Sequence, residues 1–269
     1  MEKMKVITIG NRKGGVGKTT ATCEIASQLG SMGKKVLILD LDPQTDTTDK
    51  IINKNSEITK TITQVIESEG KNTKYNASVV IDSIVKAKSE WKNCYLIPGS
   101  ENWMTAIGIL ESFPSPSLCI KKLIAPIKES FDYILIDIPS SNGRMTYSAY
   151  VASDGYIIPT DIGSDSYKGI EKTQIIVENI RDEGLNEKIK LIGILFTTYQ
   201  KAHSTYVKQF VKKLNEDFPK QSLSDIKISH STCATAAISE KIPFGVSLPK
   251  EPVSAEYKRV AKKIIEISI

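Results

Sequence analysis

Residues 4–20 read MKVITIGNRKGGVGKTT, and the order of residue types in this stretch decides the fold. Residues 4–9 (MKVITI) are a short apolar run closed by a Gly-rich turn, the pattern of a buried strand. Residues 19–32 then carry apolar side chains at Ala21, Ile25, Ala26 and Leu29, a helical period that stops near Gly33. Between them lies Lys13-Gly14-Gly15-Val16-Gly17-Lys18-Thr19-Thr20. A Gly-rich turn that follows a strand and opens a helix is the setting a phosphate-binding loop requires. Gly14, Gly15 and Gly17 let backbone amides turn inward toward phosphate oxygens, and the helix N-terminus adds its positive dipole end. Lys18 is placed to reach the β- and γ-phosphates, and the Thr19 hydroxyl to ligate Mg²⁺. The candidate nucleotide-binding set is the whole of Lys13 to Thr20, with ATP and Mg²⁺ as cofactors.

Working outward, residues 35–41 (KVLILDL) form a second buried run, so the first ~37 residues are a strand–helix–strand unit with a right-handed connection. Further strands are expected at 93–98, 132–138, 155–159 and 190–197, and helices at 117–130, 166–183 and 206–218. Residues 51–92 are polar and weakly periodic and predict only a few short helices. Residues 111–117, with Pro114 and Pro116, read as a loop. Buried strands alternating with helices predict an α/β fold: a mostly parallel twisted sheet with helices on both faces, of the P-loop NTPase type. Without an internal repeat or a long linker, residues 1–269 read as a single domain. Ligands on such sheets bind beyond the carboxyl ends of the strands.

The acids fall at those ends. Asp40 and Asp42 close the second strand in LDLDPQTDTT, where a carboxylate can orient water or hold the water shell of a metal. Asp137 closes YILIDIP, a Walker B pattern in which the acid supports Mg²⁺ directly or through water. Thr19, Asp40 and Asp137 are therefore the candidate metal set. Lys13, Lys18 and Asp42 are the candidates for catalysis, which in phosphoryl transfer to water rests on positioning and charge neutralisation.

One detail separates this loop from the common G-x-x-x-x-G-K-[ST] motif. Its first glycine would fall at Arg12, and a second lysine, Lys13, stands at the loop entrance. KGGVGKTT resembles the deviant Walker A loop of the ParA/MinD family of ATPases. The resemblance runs from Lys5 to about Ile265 and is strongest at this loop, at the D-x-D-P-Q string of residues 40–44 and at the Walker B strand. It implies that Lys13 reaches the phosphates of a partner subunit in a nucleotide-sandwich homodimer formed on ATP binding. It further implies that Asp42 is the water-orienting acid, that Asp40 lies nearer the metal, and that residues 44–48 form a first switch. Thr197 and Pro249 match segments that lie along adenine. After Asp137 the family usually has two prolines, whereas here Ile138-Pro139-Ser140-Ser141 has one; Gly143 is then the candidate hinge of a second switch.

The chain begins almost directly with its first strand, like short ParA/Soj-type DNA partition proteins. That likeness implies a slow cytoplasmic, nucleoid-associated ATPase that binds double-stranded DNA non-specifically and is stimulated by a centromere-binding adaptor protein. Charge agrees in part. The net charge is +5. Residues 201–269 hold twelve Lys or Arg against seven Asp or Glu, so the excess lies there and suits a polyanion. Lys208, Lys212 and Lys213 point away from an apolar stripe of Tyr206, Phe210, Leu214 and Phe218. Lys258, Arg259, Lys262 and Lys263 point away from Tyr257, Val260, Ala261 and Ile264. These seven cations are the candidate DNA contacts. The arginines that the family places before its adenine-proximal segment have no counterpart, since residues 228–238 contain no Arg or Lys.

A MinD-like membrane-associated ATPase needs a C-terminal amphipathic tail. The sequence ends at or just after its last expected helix, so no membrane partner is expected; a ParA-like ATPase positioning a protein cargo shares the same core. Cys23, Cys94, Cys119 and Cys233 are far apart and lack metal-ligand spacing, which favours reduced thiols. No cysteine lies between Asp137 and Gly155, so a metal-cluster carrier is excluded.

Overall fold

Apolar runs with no polar alternation form strands covered on both faces, and eight strands join into one sheet. They are β1 (Lys5–Ile9), β2 (Val36–Asp40), β3 (Val85–Lys86), β4 (Cys94–Ile97), β5 (Tyr133–Asp137), β6 (Gly155–Thr160), β7 (Lys190–Tyr199) and β8 (Lys227–Ser229). The computed structural model describes residues 4–267 except 54–55, 103–107, 109, 111, 142, 200–204, 220, 222 and 224. The sheet order is β3-β4-β2-β5-β1-β6-β7-β8. Every described pairing is parallel except β3 with β4. This is the α/β sheet of a P-loop NTPase.

The order places the site. From β1 the chain moves to β2 and on to β3 and β4 on one side; after β5 it crosses β1 to β6 and continues outward. β1 stands at the reversal, where a crevice opens beyond the strand ends. Register then aligns the acids. Ile9 faces Asp137 across β1 and β5, and Asp40 faces Asp137 across β2 and β5.

Alternate residues of each strand feed two cores. On β5, Ile134 and Ile136 enter one core, while Tyr133 and Leu135 enter the other. The first core is covered by helices that include Ile62–Glu69, Cys119–Ile124, Arg144–Ala152, Ser164–Asp182 and Thr205–Asp217. The second lies under Lys18–Ser31 and Pro252–Glu266. The Lys18–Ser31 helix is wedged between the sheet and Pro252–Glu266, so even Thr22, Glu24, Ser27 and Gln28 are buried.

Several expectations are corrected. The expected helix over 117–130 is only Cys119–Ile124 with a 3₁₀ turn on each side, because Pro126 has no N–H to continue it. The polar 51–92 region holds short helices and also the antiparallel edge strand β3. β8 and the helix Thr232–Glu240 lie where no element was expected. The expected 206–218 helix is Thr205–Asp217, with Phe210 and Leu214 buried; the side chain of Tyr206 lies outside the described residues. Among the described residues no helix is long and apolar enough to cross a membrane. All four cysteines are free, and only Cys233 is exposed.

Candidate nucleotide-binding site

The loop after β1 is shaped by backbone that side chains resist. Gly15 (φ 73°) and Gly17 (φ 74°) lie in the left-handed region, where a Cβ is strained. Asn11, unremarked in the sequence, is buried and ties the loop down. Its Nδ2 donates to the Pro159 carbonyl at 2.7 Å, and its Oδ1 accepts from the Lys13 amide at 2.9 Å.

Lys18 opens the following helix and is buried. Among the described residues its only hydrogen-bond acceptor is the Lys13 carbonyl at 3.5 Å, the outer limit of such a bond. Burial lowers its pKa, opposed by the charges of Asp137 and Asp42. A buried ammonium with three donors and one distant acceptor is poised for an anion.

Asp137 is fully buried. Its Oδ2 accepts from the Thr19 hydroxyl at 2.9 Å and the Thr47 hydroxyl at 2.7 Å. Its Oδ1 is met by the Thr22 hydroxyl at 3.4 Å. Burial pushes Asp137 up to about 6, against the pull of those Thr47 and Thr19 bonds. The Thr19 hydroxyl and the Asp137 carboxylate are hard oxygen donors, which suit Mg²⁺. Among the described residues no group of three or more His, Cys, Asp or Glu could hold a metal. A cation here would draw its remaining ligands from phosphate and water, as Mg²⁺ commonly does.

Asp40 closes β2 as the register partner of Asp137. It is fully buried, with Oδ2 accepting from the Thr48 amide (2.9 Å) and hydroxyl (2.6 Å) and Oδ1 from the Asp42 amide (3.2 Å). Burial first, then the Asp137 charge, push it up to about 7. Its bonds make it an anchor for the Asp46–Ile51 helix, and Gly99 packs so closely that a Cβ there would lie 2.9 Å from the Asp40 Cγ. Asp42 is half-buried. Its Oδ1 accepts from the Gln44 amide at 3.0 Å, an Asx turn that leads into the same helix.

Lys13 turns to its own chain. Its Nζ lies 2.8 Å from both oxygens of Asp161, just past β6, and 3.0 Å from the Ser166 hydroxyl. Burial alone would raise Asp161, but hydrogen bonds from Lys13 and Ser166 outweigh it and hold the carboxyl below its usual range. Asp161 carried no motif in the sequence.

Next to the loop is a cavity of about 170 Å³. Gly15, Gly17, Thr20 and Thr197 line its phosphate-loop side. Ser229, His230, Ala234, Ile238 and Phe244 are among the residues on the rest of its wall. Thr197 does lie at this cavity, but its hydroxyl donates inward, 2.8 Å from the Val16 carbonyl and 3.2 Å from that of Thr160. Pro249 is exposed and is not among the lining residues, which include the end of β8 and the Thr232–Glu240 helix.

The seven candidate DNA-contact cations are on the surface: Lys263 is half-buried and the other six are exposed. They belong to helices on opposite faces of the sheet. Lys212 pairs with Glu216 (3.7 Å), Arg259 with Asp225 (3.1 Å) and Lys263 with Glu266 (4.0 Å). The Lys213 ammonium sits over the Tyr167 ring at 4.0 Å.

Comparison with known proteins places this geometry. Residues 4–191 match the model of a family described as AAA domain. The sporulation initiation inhibitor protein Soj of Bacillus subtilis is 30% identical over 195 residues, 72% of each chain. The chromosome-partitioning ATPase Soj of Treponema pallidum is 26% identical over 263 residues, 97% of each. Among solved structures, the ATP complex of a Cyanothece McdA variant superposes with a TM-score of 0.82 at 20% identity, covering 100% of this chain and 99% of that one.

Proposed function

The chain belongs to the AAA domain family, in its ParA/MinD-type deviant Walker A branch, and on that premise we propose that it is a slow Mg²⁺-dependent ATPase whose ATP-bound homodimer binds duplex DNA without sequence preference. One observation carries the nucleotide part: the buried Lys18 ammonium, with a single acceptor at 3.5 Å among the described residues, at the base of a loop shaped by two left-handed glycines. In this reading the loop amides and Lys18 hold the phosphates, while Thr19 and Asp137 hold the cation. The cation supplies charge neutralisation on the phosphate oxygens. Asp42, half-buried beside Lys18 and not enclosed like Asp40, orients the attacking water. Asp40 acts through Thr48 rather than on the cation.

Lys13 leaves Asp161 to reach the partner subunit's phosphates, so hydrolysis is slow until two chains meet. The exposed lysines of Thr205–Asp217 and Pro252–Glu266 supply the cations for DNA phosphates, and such binding falls steeply with salt. An adaptor bound to a centromere-like DNA site then stimulates hydrolysis, and the protein works in the cytoplasm on the nucleoid. The 26% identity to a chromosome-partitioning ATPase along 97% of the chain supports this reading.

DNA binding measured with ATP and with ADP across a salt series tests the proposal, with Lys13→Ala as control. The expected result is ATP-dependent, salt-sensitive binding that Lys13→Ala abolishes while still binding nucleotide. Binding that is absent or indifferent to ATP overturns the DNA reading, and binding that survives Lys13→Ala overturns the sandwich dimer.

A further inference from the structure

Two consecutive threonines after Asp42 donate to two adjacent strand-end acids. The Thr47 hydroxyl donates to Asp137 Oδ2 at 2.7 Å, and the Thr48 hydroxyl to Asp40 Oδ2 at 2.6 Å. Asp40 and Asp137 are register partners on neighbouring strands. Thr48 is further held by the Gly99 amide, which donates to its hydroxyl at 2.8 Å. The Thr48 contact anchors a turn. The Thr47 contact touches the acid assigned to the cation.

We propose that Thr47 is a positioning residue that sets which oxygen of Asp137 faces a hydrated cation and ties that orientation to the segment carrying Asp42. This rests on the Mg²⁺–nucleotide reading above.

The proton count on Asp137 carries the first half. Oδ2 receives two hydroxyl protons, from Thr19 and Thr47, which fill its two lone pairs. Among the described residues Oδ1 is met only by Thr22, whose single proton has a closer acceptor in the Lys18 carbonyl at 3.0 Å. Oδ1 is thus the oxygen left for a cation-bound water. Thr19 can keep its proton on Oδ2 while its own lone pairs face the cation. Without the Thr47 proton, one Oδ2 lone pair is unfilled and the carboxylate loses the shorter of the two bonds that hold Oδ2.

Backbone strain carries the second half. Thr45, a β-branched residue, sits at φ 54°, in the left-handed region such residues avoid. Strained conformations persist where surrounding contacts over-determine them, and Thr47 and Thr48, the second and third residues beyond, supply those contacts. Thr47 is fully buried and Thr48 nearly so. Removing one anchor should let residues 43–51 relax and carry Asp42 with them.

The test uses the full chain and fluorescent ADP, titrated in EDTA and then across a Mg²⁺ series. Thr47→Val keeps the side-chain shape and removes the proton; Thr47→Ser keeps the proton and removes a methyl. For Thr47→Val, affinity in EDTA should be unchanged, and the Mg²⁺ concentration giving half-maximal tightening should rise on the order of tenfold. Amide exchange across 43–51 should speed up in the same variant. Thr47→Ser should follow the wild type in both. If Thr47→Val fails to fold, Thr47→Ala takes its place, because it lacks the same proton. Coincident Mg²⁺ curves for the wild type and the hydroxyl-free variant overturn the inference alone. So does a serine variant that behaves like valine, since packing would then be the cause. A wild type that binds no nucleotide overturns the functional reading and this inference with it.

Discussion

The phosphate loop and the cavity beside it are built on different principles. The phosphate side is one run, residues 11–20, set against acids at the ends of β2 and β5. Its groups are buried ions and hydroxyls at hydrogen-bond distance: Lys18, Asp137 with Thr19 and Thr47, and Asp40 with Thr48. The cavity side draws on β7, the end of β8, the Thr232–Glu240 helix and Phe244, and much of its wall is uncharged. A buried charge tolerates few partners and little displacement. An apolar wall needs only shape, which many residues supply. One side is therefore demanding of sequence and the other permissive.

Lys18→Ala gives the largest expected effect. Hydrolysis should fall at least about 100-fold, with nucleotide binding lost by fluorescence anisotropy and the circular dichroism of the fold retained. If the variant hydrolyses at the wild-type rate, the phosphate side is not where the chemistry lies, and the comparison breaks.

A smaller effect separates the two sides. Ala234 lines the cavity, and Ala234→Trp should fill it. ADP affinity should weaken about tenfold, while binding of inorganic tripolyphosphate stays as in the wild type. Pro249→Ala, at an exposed residue outside the lining, should leave both unchanged. Calorimetry of the four pairs reads this directly. A proline variant that loses ADP selectively would return the base contact to Pro249.

The smallest effect is on pH dependence. Asp40 is pushed up to about 7 and Asp137 to about 6, both chiefly by burial. A carboxyl that binds its proton more tightly folded than unfolded adds stability at low pH, and that contribution is lost as pH rises through the folded pKa. Without nucleotide, thermal stability should therefore decline from about pH 4 to pH 7 through these two groups. Asp40→Asn should flatten the decline and leave the protein more stable at pH 8 by on the order of 1 kcal/mol. A variant with an unaltered slope would mean that Asp40 is ionised and held by Thr48 at little cost.

The phosphate loop, the central strands and the acids were legible because each is a local pattern. Three glycines before Lys18, uninterrupted apolar runs, and an acid at the ends of β2 and β5 need no knowledge of the rest of the chain. Asp161 and Thr47 were not legible. Each acquires its role only from a partner ninety or more residues away, Lys13 for Asp161 and Asp137 for Thr47. β8 has three residues and the Thr232–Glu240 helix has one buried side chain that is apolar, Ala237, so neither has a period to read. The two basic helices show the limit from the other side. Their apolar stripes and outward lysines follow from spacing alone, yet spacing could not place them on opposite faces of the sheet. By itself the sequence determined a nucleotide loop, its acids and an α/β sheet, because those rest on contacts between near neighbours and on strands that must be apolar throughout. Tertiary structure alone decided that Lys13 rests on Asp161, that Asp40 bonds Thr48, and that the end of β8 lines the cavity beside the loop, because each depends on which distant segments the fold brings together.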